Sequence, residues 1–325
     1  MNFFHSILNT IKDAIKCEDI SKARYTNVEK LHTSQFSKVY KCQLRDTMKD
    51  VCVKIYQVRK CAKISEDTEG QILNEISIIR KVNHPCILGC SNVFLTSHRA
   101  VLEMDFMHGG DLYDYLVSNG IQCEKNTKIV MLQLLSASRY LHSMNIVHRD
   151  IKLENILLTR SNRIEEVKLS DFGLSVEIDE NSVLTDQVGT SYYMAPELYR
   201  KEPYGFKVDI WACGVVMYSL LFGKFPFDGE GQELVANILR GKFTFPKEVS
   251  DNAKSLLKGL LATKVTERFC SKNAVKSAFF DGEEIVGDTT PLDNEMINCK
   301  SESLVSHMTA VDTTCENPSE ISEDK

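Results

Sequence analysis

A chain of 325 residues, 43% apolar and 26% charged, has an ordinary soluble globular composition and is long enough for one large domain or two. Its formal charge of −6 gives no case for nucleic-acid binding, and its longest apolar run, residues 211–223, is too short to span a bilayer. The acidity belongs to one end: residues 281–325 hold twelve Asp and Glu against two Lys and carry −10, so the rest of the chain stands at +4.

Eleven cysteines are scattered with no CxxC pair and no His partner at zinc spacing, and no secretory signal precedes them. Reduced thiols are expected, mostly buried as small apolar residues, in a cytoplasmic or nuclear protein.

In residues 1–24, Phe4, Ile7, Leu8, Ile11 and Ile15 share one face at helical spacing. An amphipathic extension packed on the main domain is expected, ahead of a partner-docking helix. A membrane-surface helix ranks last, because Lys12 and Lys16 add little attraction to lipid. Residues 25–56 read as the first strands of a sheet. Leu31-His32-Thr33-Ser34-Gln35-Phe36-Ser37-Lys38-Val39 makes a hairpin tip without glycine, and Val51-Cys52-Val53-Lys54 a further strand. Ile72, Ile76 and Ile79 predict a helix over 69–82 that carries Glu75, and His84-Pro85 stops it.

Residues 100–107 read as a buried strand running into a connector, followed by Gly109-Gly110-Asp111. Helices are expected over 112–117 and 127–145, then a short hairpin of 156–158 with 167–169. A loop over 182–188 leads to Ala195-Pro196-Glu197. A long apolar helix begins at Asp209, whose carboxylate, near a helix start, suits backbone N–H groups. Phe225-Pro226-Phe227 ends that region, and further helices run to about Phe280. Residues 281–325 show little apolar periodicity and read as a disordered acidic tail.

The most informative stretch is His148-Arg149-Asp150-Ile151-Lys152-Leu153-Glu154-Asn155, followed sixteen residues after Asn155 by Asp171-Phe172-Gly173. The pair is far more specific than either piece. Its residue types suit phosphoryl transfer, which needs alignment and charge neutralisation more than covalent help. Asp150 can accept the proton of a substrate hydroxyl, and Lys152 can reach the moving phosphoryl group. The Asn155 amide oxygen and the Asp171 carboxylate are hard donors that suit Mg²⁺.

On these motifs residues 25–280 resemble a eukaryotic-type serine/threonine protein kinase domain. Lys152 and Gly189-Thr190-Ser191-Tyr192-Tyr193-Met194-Ala195-Pro196-Glu197 are of serine/threonine rather than tyrosine type. The stretch 208–243 is similar to the calmodulin-dependent and AMP-activated branch. The resemblance implies an α+β bilobal kinase fold, with a small β-rich N-lobe and a larger helical C-lobe. It implies ATP and Mg²⁺ as cofactors and protein Ser/Thr hydroxyls as substrates, as in a non-specific serine/threonine protein kinase. Asp150 would be the catalytic base, and Asn155 and Asp171 the metal ligands. Lys54 would bind the α/β-phosphates and pair with Glu75. Leu31 to Val39 would cover the phosphates. Met104 would be the gatekeeper, with Asp105 and Met107 offering backbone groups to adenine and Asp111 near the ribose. Val39, Cys52 and Leu157 would sandwich the adenine ring, Thr190 would bond Asp150 and Lys152, and Arg268 would pair with Glu197.

The chain departs from the family at the nucleotide loop, where His32, Ser34 and Ser37 replace the three glycines of GxGxxGxV. Side chains there should stiffen the loop and weaken its hold on phosphate. A pseudokinase scaffold is therefore the second reading, and a small-molecule phosphotransferase a remote third. Asp186 stands four residues before Thr190, where many relatives carry a phosphorylated Thr facing the Arg that corresponds to Arg149. A carboxylate paired with Arg149 would give partial constitutive activity, with Thr185 as the fallback phosphosite. Asp111 and Glu154 fall where basophilic relatives place acids, so a modest preference for Arg or Lys upstream of the target is expected.

Overall fold

The computed structural model describes residues 24–34, 37–57, 66–95, 99–179 and 182–283. The helix expected in the N-terminal extension, Gln35 and Phe36 at the hairpin tip, and the acidic tail beyond residue 283 lie outside the described residues.

A five-stranded antiparallel sheet forms the small lobe, in the order β1-β2-β3-β5-β4. Its strands are β1 Tyr25–Thr33, β2 Ser37–Leu44, β3 Asp50–Gln57, β4 Cys90–Leu95 and β5 Arg99–Asp105. Helix α1, Glu66–Lys81, follows β3. The two-residue alternation of a strand divides β3 between two faces. Val51 and Val53 enter a small cluster with Tyr25, Cys42 and Leu44. Cys52, Lys54 and Tyr56 face the cleft below, which all three line. Strand β5 ends at Asp105, and the connector begins at Phe106.

Crossing to the large lobe, the connector is pinned at Gly109, whose N–H donates to Leu158 O at 3.0 Å. A Cβ there would meet Leu158 Cβ at 2.4 Å and Arg160 O at 2.5 Å, so only glycine allows this approach. Asp111 then caps helix α2, Leu112–Asn119, by accepting the Asp114 N–H at 2.8 Å.

The large lobe is helical: α3 Glu124–Ser143, α4 Pro196–Arg200, α5 Lys207–Phe222, α6 Gln232–Arg240, α7 Asp251–Leu260 and α8 Ser271–Val275. Helix α5 is apolar on every side, as a helix running through a core must be, and is buried from Val208 to Leu221. Trp211 on it is fully buried and stacks on Phe227 at 5.4 Å between ring centroids. Four short strands complete the lobe as two pairs: β6 Ile146–Val147 with β9 Val176–Glu177, and β7 Ile156–Arg160 with β8 Arg163–Leu169. The second hairpin is longer than its apolar residues suggest. Arg160 pairs with Arg163 across a two-residue loop, closed by Asn162 in the left-handed region at φ 57°.

Candidate active site

Three charged side chains meet at the floor of the small lobe. Lys54 Nζ lies 2.9 Å from Glu75 Oε1 and 2.9 Å from Asp171 Oδ1. Burial alone would lower the Lys54 pKa, but Glu75 and Asp171 outweigh it and hold the ammonium well above its ordinary value. Burial opposes the charge of Asp171 too, and Lys54 reverses that, leaving the carboxyl below its usual range and ionised at neutral pH. Both side-chain contacts of Asp171, to Lys54 and to the Gly173 N–H at 3.4 Å, fall on Oδ1.

The catalytic-loop sequence hangs from one buried carboxylate. Asp209, in the first turn of α5, accepts the His148 and Arg149 N–H groups at 2.9 Å each and lies 2.9 Å from His142 Nε2. Burial would raise its pKa, and His142 together with these donors holds it below the ordinary value. Arg149 and Asp171 both sit in the left-handed region, at φ 69° and 62°. Such backbone is costly for residues with side chains and persists where the surroundings over-determine it. At Arg149 those surroundings are Asp209 below and Leu174 O, which accepts Nε–H at 2.6 Å. His148 is fully buried, its ring 5.2 Å from that of Phe172, and burial lowers its pKa so that it is neutral.

Above this anchor the polar groups converge. Lys152 Nζ is 2.8 Å from Asp150 Oδ2 and donates to Thr190 Oγ1 at 3.0 Å. Thr190 Oγ1 donates in turn to Asp150 Oδ1 at 2.9 Å. Asn155 Nδ2 donates to Asp150 O at 2.8 Å and Oδ2 at 3.0 Å, which leaves its amide oxygen as the atom suited to a cation. That oxygen and the Asp171 carboxylate fit Mg²⁺, which is commonly held by one or two protein carboxylates with waters and phosphate oxygens. Among the described residues there is no group of three or more His, Cys, Asp or Glu that could form a metal cage of protein ligands alone. Gly189 keeps the activation segment close to the loop: its φ is 112° and a Cβ would meet Arg149 O at 2.8 Å.

Arg149 also reaches the activation segment. Its Nη1 is 2.6 Å from Asp186 Oδ2 and 3.2 Å from the Tyr204 hydroxyl, which donates to Asp186 Oδ1 at 2.9 Å. Burial raises the Asp186 carboxyl, but Arg149 and Tyr204 outweigh it and hold it below its usual range. Thr185 beside it is exposed.

The cleft between the lobes has a volume of about 1000 Å³. Leu31, His32, Ser34, Ser37 and Val39 line its roof, and Cys52, Lys54 and Glu75 its inner wall. Met104, Asp105, Met107 and Asp111 line it along the connector, with Leu157, Asn155, Lys152 and Asp171 below. Thr33 and Lys38 pair with each other across the hairpin and fall outside the lining, Lys38 because alternation turns it away from Ser37 and Val39. Ser34 and Ser37 bond to each other: Ser34 Oγ accepts the Ser37 N–H at 3.0 Å, and the two hydroxyls are 2.8 Å apart. Two contributors escaped the sequence reading. Tyr204 lies near the start of α5, and Tyr56 could have been found by extending the period-two count one step past Lys54.

Comparison with known proteins identifies the family. The protein kinase domain family matches residues 25–280. The chain is 34% identical over 292 residues to the calcium/calmodulin-dependent protein kinase type 1B of Rattus norvegicus, covering 88% of this chain and 82% of that protein. The Mus musculus protein of the same name is 35% identical over 271 residues, 82% of this chain and 77% of the other. The probable serine/threonine-protein kinase fhkC of Dictyostelium discoideum is 36% identical over 269 residues, 80% of this chain but 45% of that longer protein.

Proposed function

Since the chain belongs to the eukaryotic-type protein kinase family, near its calmodulin-dependent branch, we propose that it transfers the γ-phosphoryl group of ATP to Ser and Thr hydroxyls of protein substrates. The observation that carries this reading is the convergence of Asp150, Lys152, Thr190 and Asn155 within 3.0 Å contacts, beside the Lys54–Glu75–Asp171 cluster.

Asp150 accepts the proton of the attacking hydroxyl, its carboxylate aimed by Thr190 and Asn155. Lys152 supplies positive charge where the phosphoryl group passes. Lys54 binds the α/β-phosphates, held in reach by Glu75. Asn155 and Asp171 would hold Mg²⁺, which would neutralise charge on the phosphates. Asp111, Asp114 and Glu154 gather acidic charge at one edge of the cleft, and the other two carboxylates add to burial in raising the Asp111 pKa. That charge supports a preference for Arg or Lys upstream of the target. A peptide array with no basic preference would remove it.

The test of the reading is Mg²⁺-ATP phosphate transfer to a mixed Ser/Thr peptide library. A scaffold that kept the fold is favoured by one observation, the Ser34–Ser37 contact, which occupies donors that a glycine loop would offer to phosphate. No transfer and no ATP-dependent rise in melting temperature would establish the scaffold instead.

We further infer that Asp186 stands in for a phosphate opposite Arg149. Asp186 is half-exposed, and a pair open to water contributes at most about 1 kcal/mol, so Asp186→Ala should lower transfer by the unphosphorylated protein roughly fivefold. Unchanged activity in that variant would count against the role.

A further inference from the structure

The Glu75 carboxylate is buried with only one of its oxygens on Lys54. The other, Oε2, accepts the hydroxyl of Tyr56 at 2.5 Å. Tyr56 stands two residues past Lys54 on β3, so both side chains leave the same face of the strand and reach one carboxylate together. The Lys54 ammonium also lies 5.1 Å from the centre of the Tyr56 ring. Burial first, and then the Glu75 charge, push the Tyr56 hydroxyl well above its ordinary range against the pull of Lys54. It keeps its proton at neutral pH and acts as a donor.

We propose that Tyr56 is a positioning residue that latches helix α1 to the sheet through Glu75 and thereby sets the reach of Lys54. The inference rests on the phosphotransfer reading above and adds to it a residue outside the motifs that carry that reading. The physical reason is the cost of an unpaired buried oxygen. Without the hydroxyl, Oε2 loses its donor, and a charged acceptor left dry is among the more expensive defects a core can hold. The carboxylate recovers by turning both oxygens toward Lys54 or by moving outward with its helix to water. Either change draws Lys54 away from its present position. Helix α1 has a second tie one residue away, from Asn74 Nδ2 to Ser175 O at 2.7 Å, so the latch joins the sheet, the helix and the segment after Asp171.

The test compares wild type, Tyr56→Phe, Glu75→Gln and the double variant, by phosphate transfer and by amide hydrogen exchange over residues 66–81. Tyr56→Phe removes one hydroxyl and keeps the ring, so folding is preserved. Expected are a fall in kcat/KM for ATP of about tenfold or more, as for a hydrogen bond to a charged group, and a similar acceleration of exchange confined to helix α1. In the Glu75→Gln background the same change should cost less than about threefold, which a merely structural role would not produce. Equal losses in both backgrounds, or unchanged exchange over 66–81, overturn the latch. If the wild type neither transfers phosphate nor gains melting temperature with ATP, the kinase reading fails by itself. The exchange comparison then still decides Tyr56: acceleration confined to the helix supports the latch, and its absence overturns it.

Discussion

Asp171→Asn should lower phosphate transfer by roughly a thousandfold while leaving the melting temperature nearly unchanged. The side chain is about half-exposed, so its volume contributes little to the core. What the substitution removes is charge. The carboxylate is ionised, held so by Lys54, and supplies the anionic oxygen among the groups proposed to hold Mg²⁺. An amide keeps the shape and loses the attraction. Lys54→Met tests the same cluster from the other side, leaving Glu75 buried opposite a thioether. Parallel single-turnover assays and melting curves would decide. Transfer retained within tenfold in Asp171→Asn would sink the proposed metal role, and loss of transfer together with a collapsed melting curve would show a structural role instead.

Arg268→Ala should have the largest effect on stability. Arg268 and Glu197 face each other with both side chains almost wholly buried, at 2.6 Å for Nη1–Oε1 and 2.8 Å for Nη2–Oε2. Arg268 also donates from Nε to Ala262 O and from Nη1 to Lys207 O, and the guanidinium lies 5.0 Å from the centre of the Trp211 ring. Removing the cation leaves the Glu197 carboxylate dry and alone, a defect that costs about 3–5 kcal/mol and lowers the melting temperature by roughly ten degrees in a domain of this size. Replacing both partners by apolar residues, Glu197→Leu with Arg268→Met, should recover much of the loss, because no uncompensated charge remains. A single variant that melts with the wild type would mean that water reaches the pair.

Much of this could be read from residues alone, where one residue type has one physical use. The residues of the loop at 148–155 and the turn at 171–173 carry chemistry that few other patterns demand, and the structure sets Lys152, Asn155 and Asp171 on one cleft with His148 against Phe172. The bilobal α+β architecture came with the resemblance that those motifs carry, and the sheet of the small lobe and the helices of the large lobe bear it out. Less legible were contacts that depend on what lies across a gap. Tyr56 reads as one more apolar strand residue until Glu75 is placed above it. Glu103 drew no reading of its own within the buried strand of 100–107, yet it is a buried acid held by Arg24 Nε at 2.8 Å, the Tyr25 hydroxyl at 2.6 Å and Asn92 Nδ2 at 2.6 Å. Its donors lie on β1, on β4 and just before β1, so no local pattern announces them. The hairpin of β7 and β8 was underestimated because Ser161-Asn162 is a weaker turn signal than Asn-Gly or Asp-Gly. The loss of the three loop glycines was plain in the sequence. The bond that Ser34 and Ser37 form in their place was not.

Asp209 has a consequence for how the molecule fails. The backbone that aims Asp150 is fastened to the first turn of the most buried helix, and two residues along that helix sits Trp211, the only tryptophan of the chain. A loop fastened in this way has little freedom to melt while its helix stands. In rising urea, the intrinsic fluorescence of that single indole and the rate of phosphate transfer should therefore decline along one curve, with one midpoint, so that the optical signal of the folded core doubles as a gauge of the working site.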